Sequence, residues 1–146
     1  MSTSALAAPC TITDTTGLLG TPLSALIARA PLSLPPDASI QMGAQAMRDA
    51  SVSSVLLMQG SRLHGIVTDR DLRNRVVAQG LSPALPLQHI ASTDLLCLPP
   101  QASALDALAL MARHNIHHVP VVDKERVLGL VTPGMSASAK APAPCN

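Results

Sequence analysis

Gly65-Ile66-Val67-Thr68-Asp69-Arg70-Asp71-Leu72-Arg73 is the stretch from which the fold can be read. An apolar run ends at Thr68, and a charged segment with helical spacing starts at Asp69, so the chain passes there from strand to helix. The first half of this stretch returns as Gly129-Leu130-Val131-Thr132. On either side of it the same offset of 64 pairs Arg62 with Arg126, Val55 with Val119, Met47 with Met111 and Ala38-Ser39 with Ala102-Ser103. Leu34-Pro35-Pro36 returns as Leu98-Pro99-Pro100, and Pro22-Leu23 as Pro86-Leu87. The register runs without a gap from 22–71 against 86–135. Two copies of this size make neither a solenoid nor an array. They imply two similar units packed about a pseudo-twofold axis, and such an axis creates clefts in pairs.

Each copy has the same order of elements. In the first, Pro22 opens a short helix, and Leu32-Ser33-Leu34 is extended up to Pro35-Pro36. Asp37 or Ser39 caps a helix over Ile40 to Asp49, with Met42, Ala46 and Met47 on its inner side. Val55-Leu56-Leu57-Met58 reads as a strand buried on both faces. Gly60-Ser61 turns the chain into a paired strand over Leu63 to Thr68. A helix follows from Asp69 to Ala78, with Leu72, Val76 and Val77 inward and Gly80 as its stop. The second copy offers a short helix from Leu87 to Ala91, an extended Leu95 to Leu98, and a helix from Ser103 to His114. Strands at Val119 to Val122 and Val127 to Thr132 complete it, with Pro120 pointing to an edge or a strand start. Pro133-Gly134-Met135 then replaces the last helix. The expected organisation is a tail over 1–21, one repeat over 22–80, a second over 81–135 and a tail over 136–146. The tails, rich in Ala, Ser, Thr and Pro, suit linkers to other domains of a longer protein.

Composition narrows the function. The chain has 146 residues, 47% of them hydrophobic and 13% charged, which is a folded rather than disordered balance. Each repeat alone, about 50–60 residues, lies near the lower limit for a stable core, so the two must bury each other. There is no Phe, Tyr or Trp and the net charge is +1, so neither stacking platforms nor a basic face exist for nucleic acid. No apolar run reaches the ~18 residues of a membrane span, and no signal peptide is evident. Cys10, Cys97 and Cys145 form no close-spaced motif and read as free thiols of a cytoplasmic protein. His114, His117 and His118 lack an acidic or cysteine companion nearby, so no metal site is expected. No Walker loop, Gly-x-Gly-x-x-Gly or Gly-x-Ser-x-Gly elbow is present, and no catalytic set can be assembled.

The order β-α-β-β-α stated twice, with Gly65-Ile-Val-Thr-Asp-Arg-Asp-Leu-Arg and His118-Val-Pro-Val-Val-Asp at this spacing, resembles the CBS domain family over residues 22–135. It is similar to the CBS pairs of bacterial multidomain signalling proteins. The resemblance implies an α/β fold of the α+β type, a tandem pair called a Bateman module, and a disc-shaped homodimer of two modules. It implies a regulatory rather than catalytic role. It also implies an adenosine-containing ligand between the repeats (AMP, ADP, ATP or S-adenosylmethionine) as regulator, with no prosthetic group.

The family's roles carry over to Thr68, whose hydroxyl would donate to a phosphate, and to Asp71, whose carboxylate would accept from the ribose hydroxyls. Arg70 between them offers charge to a phosphate. Ordinary helix capping is the other reading of Thr68 and Asp71. The resemblance places Ser53 and Ser54, and their counterparts His117 and His118, in the cleft of their own repeat's Thr and Asp. Thr132 is kept in repeat two, but Met135 stands where Asp71 does, so one competent site or two unequal ones are expected. Leu95 and Leu96, on the other repeat's leading segment, would cover the base. A ligand-independent dimerisation scaffold is the competing expectation.

Overall fold

The computed structural model describes residues 20–27 and 30–134. Cys10, Cys145, Met135 and nearly all of the two expected tails lie outside the described residues. Five strands and three helices alternate along the chain: β1 (Ser33–Leu34), α1 (Ile40–Ala50), β2 (Ser54–Gln59), β3 (Arg62–Thr68), α2 (Asp69–Asp71, continued by wider π turns over Leu72–Val77), α3 (Ala104–His114), β4 (Val119–Asp123) and β5 (Arg126–Val131). Single 3₁₀ turns at Leu23–Ala25 and Leu87–His89 lead into the two repeats. The second is shorter than the helix expected over Leu87 to Ala91, because Ile90 leaves helical geometry.

The local causes repeat with the sequence. Ser39 and Ser103 cap α1 and α3, their hydroxyls accepting from Met42 and Asp106 amides. Both helices end on a left-handed residue, Ser51 (φ 57°) and Asn115 (φ 54°), after which Val52 and Ile116 amides return to Met47 and Met111 carbonyls. The hairpins turn at Gly60 (φ 66°) and Lys124 (φ 60°). Each hairpin then slips register just before Gly65 and Gly129, at the Leu57/Met58 and Val121/Val122 steps.

One sheet has the order β1-β2-β3, with β1 parallel and β3 antiparallel to β2; the other pairs β4 with β5. Beyond β4, a single parallel bridge joins Leu98 to Val121. Pro120 therefore sits one residue into β4, beside a thinly paired flank, as its chemistry led us to expect. The extended Leu95 to Leu98 is reduced there to that one bridge.

Packing exchanges the leading segments. Leu23, fully buried, lies in the core of repeat two with Ala104, Ala107, Met111, Val119, Val121 and Val131. Leu87 and Ile90 lie in the core of repeat one with Ile40, Met47, Val55, Leu57 and Val67. Matching hydrogen bonds fasten both: Leu23 N–H to Ala102 O at 2.8 Å and Leu87 N–H to Ala38 O at 2.7 Å. Antiparallel bridges Pro22–Ser103 and Ser39–Pro86 repeat the pattern. Small residues allow the approach. A Cβ on Gly43 would meet Leu87 Cδ2 at 2.7 Å, and one on Gly129 would meet Ile27 Cγ2 at 2.5 Å.

Two inward assignments are corrected. Met42 is 50% exposed; Ile40, Gly43 and Met47 form the buried face of α1 instead. Val77 is 77% exposed, while Val76 is buried. Val77 borders a shallow apolar groove of about 550 Å³ between α1 and α2.

Candidate functional site

The β3–α2 junction forms a closed capping box. Thr68 Oγ1 accepts from the Asp71 amide at 3.3 Å. Asp71 Oδ2 accepts from the Thr68 amide at 2.9 Å and from the Thr68 hydroxyl at 3.1 Å. The Asp69 amide donates to the Ser53 carbonyl at 3.0 Å, which ties the helix start to the beginning of β2. Asp71 is only 8% exposed. Its second oxygen, Oδ1, lies 3.7 Å from Arg75 Nε. Arg75 also donates to the Ile90 carbonyl at 2.9 Å, so one guanidinium links the buried acid to the turn that leads into repeat two.

A cleft of about 470 Å³ opens in front of this junction. Repeat one supplies Ile66, Thr68, Asp71 and the cations Arg70 and Arg73. The opposite wall comes from repeat two: Asp94, Leu95 and Leu96 on its leading segment, and His117, His118 and Pro120 at the step from α3 to β4. The wall is held at the right distance by Gly65. Ser92 and Ile66 exchange backbone hydrogen bonds at 3.0 Å, and a Cβ at Gly65 would stand 2.9 Å from the Ser92 carbonyl.

Among the described residues, two hydrogen bonds from side chain to side chain cross the seam between repeats. Arg70 Nη2 donates to His117 Nδ1 at 3.0 Å. A guanidinium only donates, so His117 Nδ1 is the acceptor in this contact. His118 Nε2 and Ser53 Oγ lie 3.1 Å apart. Burial lowers the pKa of His118; Asp69 and Asp71 pull it up and His117 and Arg70 push it down.

The structure brings Thr68, Arg70, Asp71, Leu95, Leu96, His117 and His118 to one cleft. Ser53 stands behind it, on His118. Ser54 and Thr132 are not in its lining: Ser54 is buried in β2 opposite Thr68, and Thr132 follows β5. One placement is corrected. His117 and His118 face Thr68 and Asp71 of the other repeat, not Thr132 of their own, because the pseudo-twofold lays the start of β4 against the end of β3. Asp94, Arg73 and Arg75 were not singled out from sequence. Arg73 and Arg75 carried only the helical spacing from Asp69 as a signal; Asp94 carried none. Among the described residues no group of His, Cys, Asp and Glu is placed to hold a metal ion.

The comparisons agree with this architecture. The sequence model described as "CBS domain" matches residues 23–78 and 87–134. The chain belongs to the CBS domain family, and its two repeats form a tandem CBS pair. It is 35% identical over 99 residues to the CBS domain-containing protein YhcV of Bacillus subtilis, covering 68% of this chain and 71% of that one. It is 39% identical over 85 residues to the CBS domain-containing protein CBSCBSPB2 of Arabidopsis thaliana, but this is 58% of this chain and only 16% of that one. Among solved structures, the CBS domain protein PAE2072 of Pyrobaculum aerophilum, complexed with AMP, superposes with a TM-score of 0.73. It is 31% identical, with 79% of this chain and 89% of that chain covered.

Proposed function

We propose that this CBS pair is a regulatory module that binds an adenosine-containing nucleotide in the cleft between its repeats. AMP, ADP and ATP are the first candidates and S-adenosylmethionine the next. The single observation that carries this reading is the composition of that cleft. A buried acid and a hydroxyl at a strand–helix junction share about 470 Å³ with two arginines and an apolar leucine wall. That volume lies within the range of small-molecule sites. The arginines suit phosphate, the carboxylate suits ribose hydroxyls, and Leu95 and Leu96 suit a purine face. The AMP complex of the Pyrobaculum relative supports the ligand class. Thr68 and Asp71 already satisfy each other, so a phosphate must draw the Thr68 hydroxyl away from Asp71 Oδ2. Binding would thereby loosen the box and shift the angle between repeats, provided the two shapes differ in affinity. No catalytic role is proposed. Cys97, the free cysteine among the described residues, has a thiol pKa raised by burial, which makes it a weak nucleophile at neutral pH. Work in the cytoplasm fits that unpaired thiol, and no helix among the described residues is long and apolar enough to cross a membrane.

Isothermal calorimetry with AMP, ATP and S-adenosylmethionine tests the reading. Saturable heat with one of them, lost on Arg70→Ala, is the expected result; no heat and no thermal shift with any of them would end it. A scaffold that only dimerises is the second reading, favoured by the apolar groove beside Val77. Both readings include a homodimer, through which a change of shape would reach attached domains. Sedimentation of wild type and Val77→Glu checks that dimer; a monomeric wild type excludes it.

A further inference from the structure

The two leading segments have nearly the same sequence pattern, yet the first joins its sheet over two residues and the second by a single bridge. In repeat one, Ser33 and Leu34 run parallel to Leu56 and Leu57, and the Leu56 amide donates to the Leu32 carbonyl at 2.9 Å. Leu96 and Pro120 hold the matching places in repeat two. The next rungs there survive: the Leu98 amide donates to Pro120 O at 3.0 Å, and the Val122 amide to Leu98 O at 2.9 Å. The rung to Leu96 cannot form, because proline has no N–H. From Thr93 to Cys97, the main-chain groups make no hydrogen bond within the described residues. Asp94, Leu95 and Leu96 of this segment line the cleft, on the side opposite Thr68 and Asp71. Peptide groups of this largely exposed segment are not tied into the sheet and are available to a ligand.

We propose that Pro120 decides which side of the pseudo-twofold is open to ligand. By deleting one rung it holds Thr93–Cys97 off the sheet and leaves that wall free. Leu56, at the matching place, engages the Leu32 carbonyl and ties that group into the sheet of repeat one. The inference rests on the nucleotide reading above and adds a determinant that the Asp71-to-Met135 difference does not supply. One ligand per chain follows, on the Thr68 side.

Restoring the missing N–H tests this. Pro120 is fully buried, so two variants are used: Pro120→Ala, which leaves slight space, and Pro120→Val, which fills it. In the ligand-free protein, amide hydrogen exchange should show the new residue-120 amide protected to the level of the Leu56 amide. Exchange as fast as at Thr93 in both variants would overturn the proposal. In calorimetry, both variants should bind AMP about tenfold or more weakly than wild type, the loss expected for one or two hydrogen bonds. Unchanged affinity with a protected residue-120 amide would also overturn it. If the wild type binds none of the three nucleotides, the nucleotide reading fails and the selecting role goes with it. The exchange measurement still shows separately whether Pro120 removes the rung.

Discussion

Asp71 Oδ2 accepts two hydrogen bonds from Thr68 while Oδ1 faces Arg75, so this carboxylate is part of the fold as well as of the cleft. Helix capping and a place in the cleft, the two readings the sequence offered for Asp71, both fit this buried carboxylate. Asp71→Ala is expected to lower unfolding free energy by about 1 kcal/mol, the usual scale for a lost cap. It should also weaken nucleotide binding by roughly 1–3 kcal/mol. Urea titration and calorimetry read the two effects separately, and an unchanged urea midpoint would show that the box contributes nothing. His118 sets a pH dependence. Its pKa in the folded chain is depressed, chiefly by burial, so the unfolded chain binds more protons on acidification. Its contribution is therefore complete above the ordinary histidine value and is lost as pH falls below it. Urea midpoints measured from about pH 7.5 to about pH 5 should drop more in wild type than in His118→Gln. Parallel curves would dismiss the assignment.

Hairpins and helices follow rules that the chain carries locally. Capping serines, apolar runs and the turn at Gly60 all lie where periodicity puts them. Lys124 departs from the pattern, holding at φ 60° the place that glycine has in repeat one. Lys124→Gly should raise stability by about 0.5–1 kcal/mol, the left-handed penalty less the entropy that glycine adds to the unfolded chain. A lowered melting temperature would contradict this. Gly65 is constrained by contact rather than by φ. Gly65→Ala would push a methyl against the Ser92 carbonyl, displace the wall bearing Leu95 and Leu96, and cost about 1–3 kcal/mol. Loss of nucleotide affinity with little loss of stability would mean that the wall moves freely. The outward turn of Val77 was not legible from sequence, because which of two adjacent apolar residues meets the core is decided by the elements packed against the helix, and here Val76 takes that place.

The two repeats fold as one unit because each core is completed by the other's leading turn. Leu23→Ala should cost about 2–5 kcal/mol, as for other buried leucines. Its largest effect should fall in repeat two, where hydrogen exchange at Val119, Val121 and Val131 should accelerate before that at Val55 and Val67. Equal acceleration in both sheets would still fit a single cooperative unit; an effect confined to repeat one would refute the exchange of segments.

The duplicated register, the element order and the polar junction from Thr68 to Asp71 were legible in the primary chain, since periodicity, capping and turn residues act over a few neighbours. Which residues meet across the seam was not. That His117 reaches Arg70, that His118 reaches Ser53, and that Leu23 and Leu87 change sides all depend on how two half-cores close over each other. Neither half can bury its apolar face alone, and that mutual burial, a long-range effect invisible to local pattern, assembles the cleft from both.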